Sequence, residues 1–538
     1  MNPDTLSRRS FLSASTASLA AAMPAAAGAP MPAPSPSSGS RPNLILFMPD
    51  ELRADALSCY GNPVCRTPNL DHLASNGVRF SNCHVQYPVC GASRCSLLTG
   101  WPTSVRGHRS LYYFLRPEEP NLFRYLKQNG YDVYWYGKND ALASQSFCDS
   151  VTEWDYFPWE TSAPGGGGVF SMRPPYSVND PLYHSFLYPA GGDRRHTADY
   201  HNLTGALHIL ERTQTDRPFC IFLPLASPHP PYAGPKDFHD LYNPSSLPPL
   251  RPINLPRKPN FHEAIRKAYN IESLPDSTFR KIRAVYYGMV SYTDWLLGQL
   301  LEALDKSPHA SNTAVLAFSD HGDWAGDYGL VEKWPSALDN TLTHIPLIAR
   351  IPGGQPGHTV DDMVEQFDVM ATCLDLAGIE AQHTHFARSF VPQAHGASGD
   401  PDRAAFCEGG YNIYEPQCFE PLRPNDELYG PKSQLQIQHP ETITRCAMIQ
   451  TRTHKLVLRP AGQSELYDSV HDPQELHNLY GDSSAAAIQN ELTHRLAAWY
   501  LTTSGIAPFD KDPRSAPAFA PTPKFNNPHW QRDLIDQG

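Results

Sequence analysis

Beyond its first thirty residues the sequence has no apolar run approaching the roughly 20 residues that span a bilayer. It has no clustered basic stretch, and its formal net charge is −12. That balance argues against nucleic acid as a partner, though not against an anionic small molecule held in a locally positive pocket. No two cysteines have C-x-x-C spacing, which removes a thioredoxin-like redox centre. No internal repeat is present. Proline, by contrast, is abundant: 53 of 538 residues, which predicts long irregular loops. Eleven cysteines would permit disulfides in an oxidising compartment, and the odd number leaves at least one unpaired or modified.

The first 29 residues read as an export address. Ser7-Arg8-Arg9-Ser10-Phe11-Leu12 is a twin-arginine pattern, an alanine-rich apolar run continues to Met23, and small-residue cleavage options lie near Ala27 and Ala29. The expected destination is the periplasm or the extracellular space, with no stable membrane span. Residues 30–40, rich in Pro and Ser, read as a disordered linker. The remaining length suits one large domain and a smaller one, expected at residues 41–381 and 382–538.

Four nearly continuous apolar runs each deliver polar residues suited to chemistry. Residues 43–48 lead to Asp50-Glu51, and 131–136 lead to Lys138-Asn139-Asp140. Residues 219–225 lead to His229, and 314–318 lead to Asp320-His321. Such strands, separated by helical stretches such as 286–304, predict an α/β fold with a large, mostly parallel sheet flanked by helices. Ligands bind at the carboxyl ends of these sheets, so four strand ends point to one shared site. From about Gln382 strands shorten and loops lengthen. That change predicts a smaller C-terminal α+β subdomain containing an antiparallel sheet. Asp50, Glu51, Asp320 and His321 form an oxygen-rich ligand set suited to a hard divalent cation.

The most distinctive stretch is Cys90-Gly91-Ala92-Ser93-Arg94, followed by Cys95-Ser96-Leu97-Leu98-Thr99-Gly100. It sets a cysteine at a strand-to-helix junction and an arginine one turn later. It resembles the modification signature of the type I, formylglycine-dependent sulfatases of the alkaline-phosphatase-like superfamily: C-x-(P/A)-x-R, then a helix ending in L-T-G. The resemblance extends through Arg41-Pro42-Asn43, Thr67-Pro68-Asn69-Leu70-Asp71, Ser319-Asp320-His321-Gly322-Asp323 and Gly326-Asp327-Tyr328-Gly329-Leu330. It resumes at Leu466-Tyr467-Asp468 and Asp472-Pro473-Gln474-Glu475, so it covers most of the chain.

The resemblance implies that a formylglycine-generating or anaerobic sulfatase-maturating enzyme oxidises Cys90 to Cα-formylglycine. The hydrated aldehyde then attacks sulfur, and its second hydroxyl lets sulfate leave. Arg94 would steady the nucleophilic oxygen, Lys138 and Lys333 would hold sulfate oxygens, and His229 would protonate the leaving alcohol. The metal, Ca²⁺ with Mg²⁺ or Mn²⁺ as alternatives, would sit among Asp50, Glu51, the modified Cys90, Asp320 and His321. Two positions stay open. The family usually carries a second aspartate where Glu51 stands, so Glu51 is either a ligand or a neighbour of the ligands. The family's G-K-x-H run here reads Gly137-Lys138-Asn139-Asp140, so the base for sulfate expulsion is Asp140 or His108. The implied activity is release of inorganic sulfate from an exported or extracellular ester, preferentially a sulfated saccharide. A formylglycine-dependent phosphonate monoester or phosphodiester hydrolase is the alternative. A glycan-binding relative with a silent site is the reading from another class. Residues 411–423 and 431–445, aromatic and basic, are expected to wall the pocket.

Overall fold

The computed structural model describes residues 41–155, 173–212, 217–509 and 514; the expected signal peptide and linker lie outside the described residues. Among the described residues eight strands form one sheet: β1 (Asn43–Met48), β2 (Val78–His84), β3 (Asp132–Tyr136), β4 (Glu153–Asp155), β5 (Phe219–Pro224), β6 (Thr313–Phe318), β7 (His344–Arg350) and β8 (His358–Glu365). Their spatial order is β4-β3-β5-β1-β6-β7-β2-β8. β1 is central and parallel to both neighbours, with Leu44 opposite Cys220 on β5 and Ala314 on β6. β7 is the exception, running antiparallel to both β6 and β2.

Alternate residues of the central strands feed two separate cores, which is why these runs are apolar throughout. Ile45, Phe47, Ile221, Leu223 and Val315 face one side, where the helices Ala198–Glu211 and Asp276–Lys306 pack. Leu44, Leu46, Met48, Phe222 and Leu316 face the other, covered by Cys90–Thr99, Leu122–Gln128 and Asp368–Leu376. The 31-residue helix Asp276–Lys306 buries Leu296, Leu297, Leu300 and Leu304 at helical spacing. No helix among the described residues is long and apolar enough to cross a membrane.

A second sheet, antiparallel, comprises β9 (Ala405–Gly409), β10 (Cys446–Gln450), β11 (His454–Leu458) and β12 (Glu465–Asp468) in the order β12-β11-β10-β9. Helix Ala486–Thr503 covers it, placing Leu492 and Leu496 against Ile449, Leu456 and Leu466. None of the eleven cysteines, all of which fall among the described residues, is paired.

Two glycines bring strand ends close enough to share a site. Gly137 has φ +135°, and a Cβ there would stand 2.3 Å from the Pro224 carbonyl oxygen. That close approach lets the Lys138 amide donate to the same oxygen at 2.8 Å. Gly322, directly after His321, leaves no room either: a Cβ would lie 1.9 Å from the Thr341 carbonyl oxygen.

Candidate active site

Helix Cys90–Thr99 begins at Cys90 after an extended Val89, and all ten of its residues are buried. The Cys90 Sγ stands 3.5 Å from Asp50 Oδ1, 3.2 Å from His321 Nε2 and 3.6 Å from Lys138 Nζ. The ends of β1, β3 and β6 therefore meet at one cysteine. Burial pushes the Cys90 thiol well above its ordinary pKa, and Asp50 adds to the shift. As encoded, the side chain is a protonated thiol and a poor nucleophile.

Arg94 cross-braces the two aspartates. Its Nε donates to Asp320 Oδ2 at 2.9 Å, Nη2 to Asp50 Oδ2 at 3.0 Å, and Nη1 to the Lys138 carbonyl at 3.2 Å. Lys138 Nζ reaches Asp50 Oδ2 at 2.6 Å. Burial alone would raise the Asp50 pKa, but Lys138 and Arg94 outweigh it and hold the carboxyl well below the usual range.

Donor atoms of Asp50, Cys90, Asp320 and His321, all buried, lie within 4.8 Å of one another. His321 Nδ1 is 2.9 Å from the Gly322 carbonyl oxygen. That contact places the proton on Nδ1 and leaves the Nε2 lone pair facing Cys90. Burial lowers the His321 pKa, so the ring is neutral. Asp320 Oδ1 accepts from the backbone amides of Glu51 (3.1 Å) and His321 (2.9 Å). Two carboxylates and a neutral imidazole fit a hard divalent cation.

Glu51 belongs to a neighbouring cluster. Its backbone is left-handed (φ 66°), and its Oε1 contacts Lys333 Nζ and lies 3.1 Å from His229 Nε2. Oε2 is buried without a hydrogen-bond partner among the described residues. Donor atoms of Asp50, Glu51, Cys90 and His229 also fall within 4.8 Å of one another. Glu51 thus sits beside the cation candidates with its carboxylate turned towards Lys333 and His229.

His229 sits on the loop after β5, which is anchored where Asp199 accepts the amides of Ala226 (2.8 Å) and Ser227 (2.7 Å). Its Nδ1 lies 2.5 Å from the Pro230 carbonyl oxygen, so Nδ1 carries a proton and Nε2 faces Lys333 Nζ at 3.2 Å. Burial, Lys333 and Lys138 together push the His229 pKa well down. Lys333 is also held by Glu332 at 2.8 Å, and Glu332 binds the buried Lys432 through both oxygens, at 3.0 and 2.9 Å. Lys333 and Lys432 overcome burial and hold Glu332 at about 2.

The two candidates for the base fall in different places. Asp140 Oδ2 is 3.0 Å from Lys138 Nζ, so it meets the cysteine through that lysine. His108 turns Nδ1 to the Tyr113 carbonyl (2.7 Å) and Nε2 to Glu119 Oε1 (3.0 Å), pointing both nitrogens into its own loop. Glu332 and Lys432 were not singled out as site residues by the sequence. Glu332 carried a signal, adjacency to Lys333. Lys432 carried only its place within residues 431–445, expected to wall the pocket, and nothing local linked it to Glu332.

A mostly parallel sheet whose carboxyl edge gathers a cluster able to hold a cation, two lysines and a cysteine opening a helix suits a hydrolase of anionic esters. The sulfatase family model matches residues 42–379, and the chain belongs to that family. It is a sulfatase, a sulfuric ester hydrolase. It is 28% identical to human iduronate 2-sulfatase over 436 residues, covering 72% of this chain and 76% of the relative. It is 27% identical to an arylsulfatase of Clostridium perfringens over 373 residues, 63% of this chain and 75% of that one. The fold is shared with the phosphonate monoester hydrolase of Agrobacterium radiobacter (TM-score 0.68, 22% identity, 86% of this chain and 96% of that one). It is also shared with BT4656, solved in complex with its substrate D-glucosamine-2-N,6-O-disulfate (TM-score 0.66, 20% identity, 86% and 98% covered).

Proposed function

We propose that this sulfatase removes sulfate from a carbohydrate ester outside the cytoplasm, after twin-arginine export, with Cys90 matured to formylglycine. The observation that carries the reading is the convergence of Asp50, Lys138, Asp320 and His321 on the Cys90 side chain. Oxidised and hydrated, Cys90 supplies an oxygen nucleophile that the buried thiol cannot. Asp50, Asp320 and His321, with Glu51 beside them, would hold a divalent cation, Ca²⁺ by preference, which would supply positive charge to the site. We also assign residues 41–381 to a catalytic domain and 382–538 to a C-terminal subdomain, whose segments 411–423 and 431–445 wall the substrate pocket.

The chain's own groups do the remaining work. Arg94 fixes both aspartates, and Lys138 and Lys333 offer cations to the sulfate oxygens. Lys333 and His229 hold a mobile proton between Nζ and Nε2, available to the departing alkoxide. Glu51 and Glu332 keep Lys333 in place, and Asp140 steadies Lys138. Replacing His229 with alanine is expected to lower kcat/KM about 100-fold on an alkyl sulfate but less than about tenfold on 4-nitrophenyl sulfate, whose leaving group needs no proton. Equal losses on both esters would remove His229 from proton transfer.

The substrate class is tested by comparing kcat/KM for 4-nitrophenyl sulfate, phenylphosphonate monoesters, bis(4-nitrophenyl) phosphate and a panel of sulfated mono- and disaccharides. The saccharide sulfates are expected to lead. Dominance of the phosphonate or phosphodiester would transfer the reading to that alternative. Binding of saccharide sulfates without turnover, in protein carrying the aldehyde, would make the site silent.

A further inference from the structure

His229 is carried by a turn rather than by a strand or a helix. Its amide donates to the Ala226 carbonyl at 2.9 Å, closing residues 226–229. That turn is held by Asp199, in the first turn of helix Ala198–Glu211. Asp199 is only 4% exposed, and its two oxygens take one amide each: Oδ1 that of Ala226 at 2.8 Å, Oδ2 that of Ser227 at 2.7 Å. An acidic residue near a helix start commonly serves the helix itself, by accepting its orphan amides. Here Thr197 does that work, accepting from the Tyr200 amide at 3.0 Å, and both Asp199 oxygens go to the loop. Burial pushes the Asp199 pKa up to about 6, so near neutrality the group is still a carboxylate and can only accept. On its other side the turn is held less tightly. Ser227 Oγ lies 3.4 Å from the Met289 carbonyl oxygen and 3.2 Å from Thr293 Oγ1, both on helix Asp276–Lys306. A cavity of about 90 Å³ beside Ala226, Ser227, Met289 and Tyr292 leaves that face without close packing, so the Asp199 hydrogen bonds carry the restraint.

We propose that Asp199 is a positioning residue for the proton-donating pair: by holding the amides of Ala226 and Ser227 it sets the turn that keeps His229 Nε2 at 3.2 Å from Lys333 Nζ. Asp199 meets neither the substrate nor the reacting atoms and acts through His229. The inference rests on the proposed role of His229 as proton source for the leaving alcohol. An ester whose leaving group needs no proton is then indifferent to Asp199.

The test is a double-mutant cycle between Asp199→Asn and His229→Ala, read on an alkyl sulfate and on 4-nitrophenyl sulfate. Asparagine keeps the shape and one acceptor oxygen, and turns an NH₂ group towards the other amide. In the parent, Asp199→Asn is expected to lower kcat/KM about tenfold on the alkyl sulfate, with the loss in kcat rather than KM, and to leave 4-nitrophenyl sulfate within about twofold. In the His229→Ala background the same change is expected to lower either ester by less than about twofold, because no imidazole is left to misplace. A merely structural role would lower both esters equally and would add to the loss from His229→Ala. Either result, or no loss on the alkyl sulfate, would overturn the inference while leaving His229 as the proton source. If Asp199→Asn does not fold, Asp199→Glu, which retains both acceptor oxygens, goes through the same cycle with the same pattern expected. Failure of both variants to fold would make Asp199 a structural residue and overturn the inference as well. Equal losses on both esters in His229→Ala itself would defeat the proposed proton transfer first and this inference with it.

Discussion

Cys90→Ala is expected to abolish turnover, with kcat falling on the order of 10⁴-fold or more, as when a nucleophile is deleted from a site that acts as a unit. The fold should survive. Alanine is a good helix former, and the first turn keeps its backbone bond from the Ser93 amide to the Val89 carbonyl. Losing one small buried side chain costs about 1 kcal/mol, a minor part of the stability of a chain this size. Cys90→Ser sharpens the result. It retains a hydroxyl in the same surroundings but has only one, so it too should be inactive wherever it remains serine. Peptide mass spectrometry of the segment containing residue 90 checks the premise directly. Active protein should carry an aldehyde in place of the thiol. Full activity with the thiol intact, or substantial activity in Cys90→Ala, would sink the mechanism.

The candidate site at the sheet's carboxyl edge was legible because polar residues suited to chemistry sit where apolar runs stop. Asp50, Lys138, His229 and Asp320 each follow a strand buried on both faces, and such strand ends share a site. The reversed direction of β7 was not legible. His344–Arg350 reads as another buried apolar strand, and nothing local encodes which way a buried strand runs. Side-chain choices made across long chain separations were equally hidden: Glu51 turns towards Lys333, 282 positions away. Asp140 was visible where the family pattern has a histidine, but the sequence did not say that the carboxylate would pair with Lys138. His108 has the right chemistry, but its own loop offers Tyr113 and Glu119 first. Lys432 fell inside a segment expected to wall the pocket. Its reach to Glu332 depends on how a short helix docks, which no periodicity announces.

Asp50→Asn is expected to damage stability and catalysis together, because one carboxylate answers several positive groups. Asp50 is fully buried, and its Oδ2 accepts from Lys138 at 2.6 Å and Arg94 at 3.0 Å. Asparagine keeps the shape and removes the charge, leaving two buried cations with less compensation. Breaking a buried pair in this way costs about 3–5 kcal/mol, so the denaturation midpoint should fall clearly. The sign with pH follows from the carboxyl being held well below its ordinary 3.8. Its contribution is complete above that value and is lost as pH falls through the folded pKa, so the gap between parent and variant should close in acid. Catalysis should drop about 10³-fold, since the same carboxylate orders the cations that meet the sulfate. A second readout separates the metal from the ion pairs. Added Ca²⁺ should raise the thermal stability of the parent by mass action, a chelator should reverse it, and Asp50→Asn should lose most of the response. Asp140→Asn provides the contrast, because its carboxylate meets Lys138 and lies outside both candidate cation clusters. It should keep the Ca²⁺ response while losing part of the activity. An Asp50→Asn protein that retains both its stability and its Ca²⁺ response would show that the cation is held elsewhere and that Lys138 and Arg94 find their counter-charge in Asp320 and Asp140.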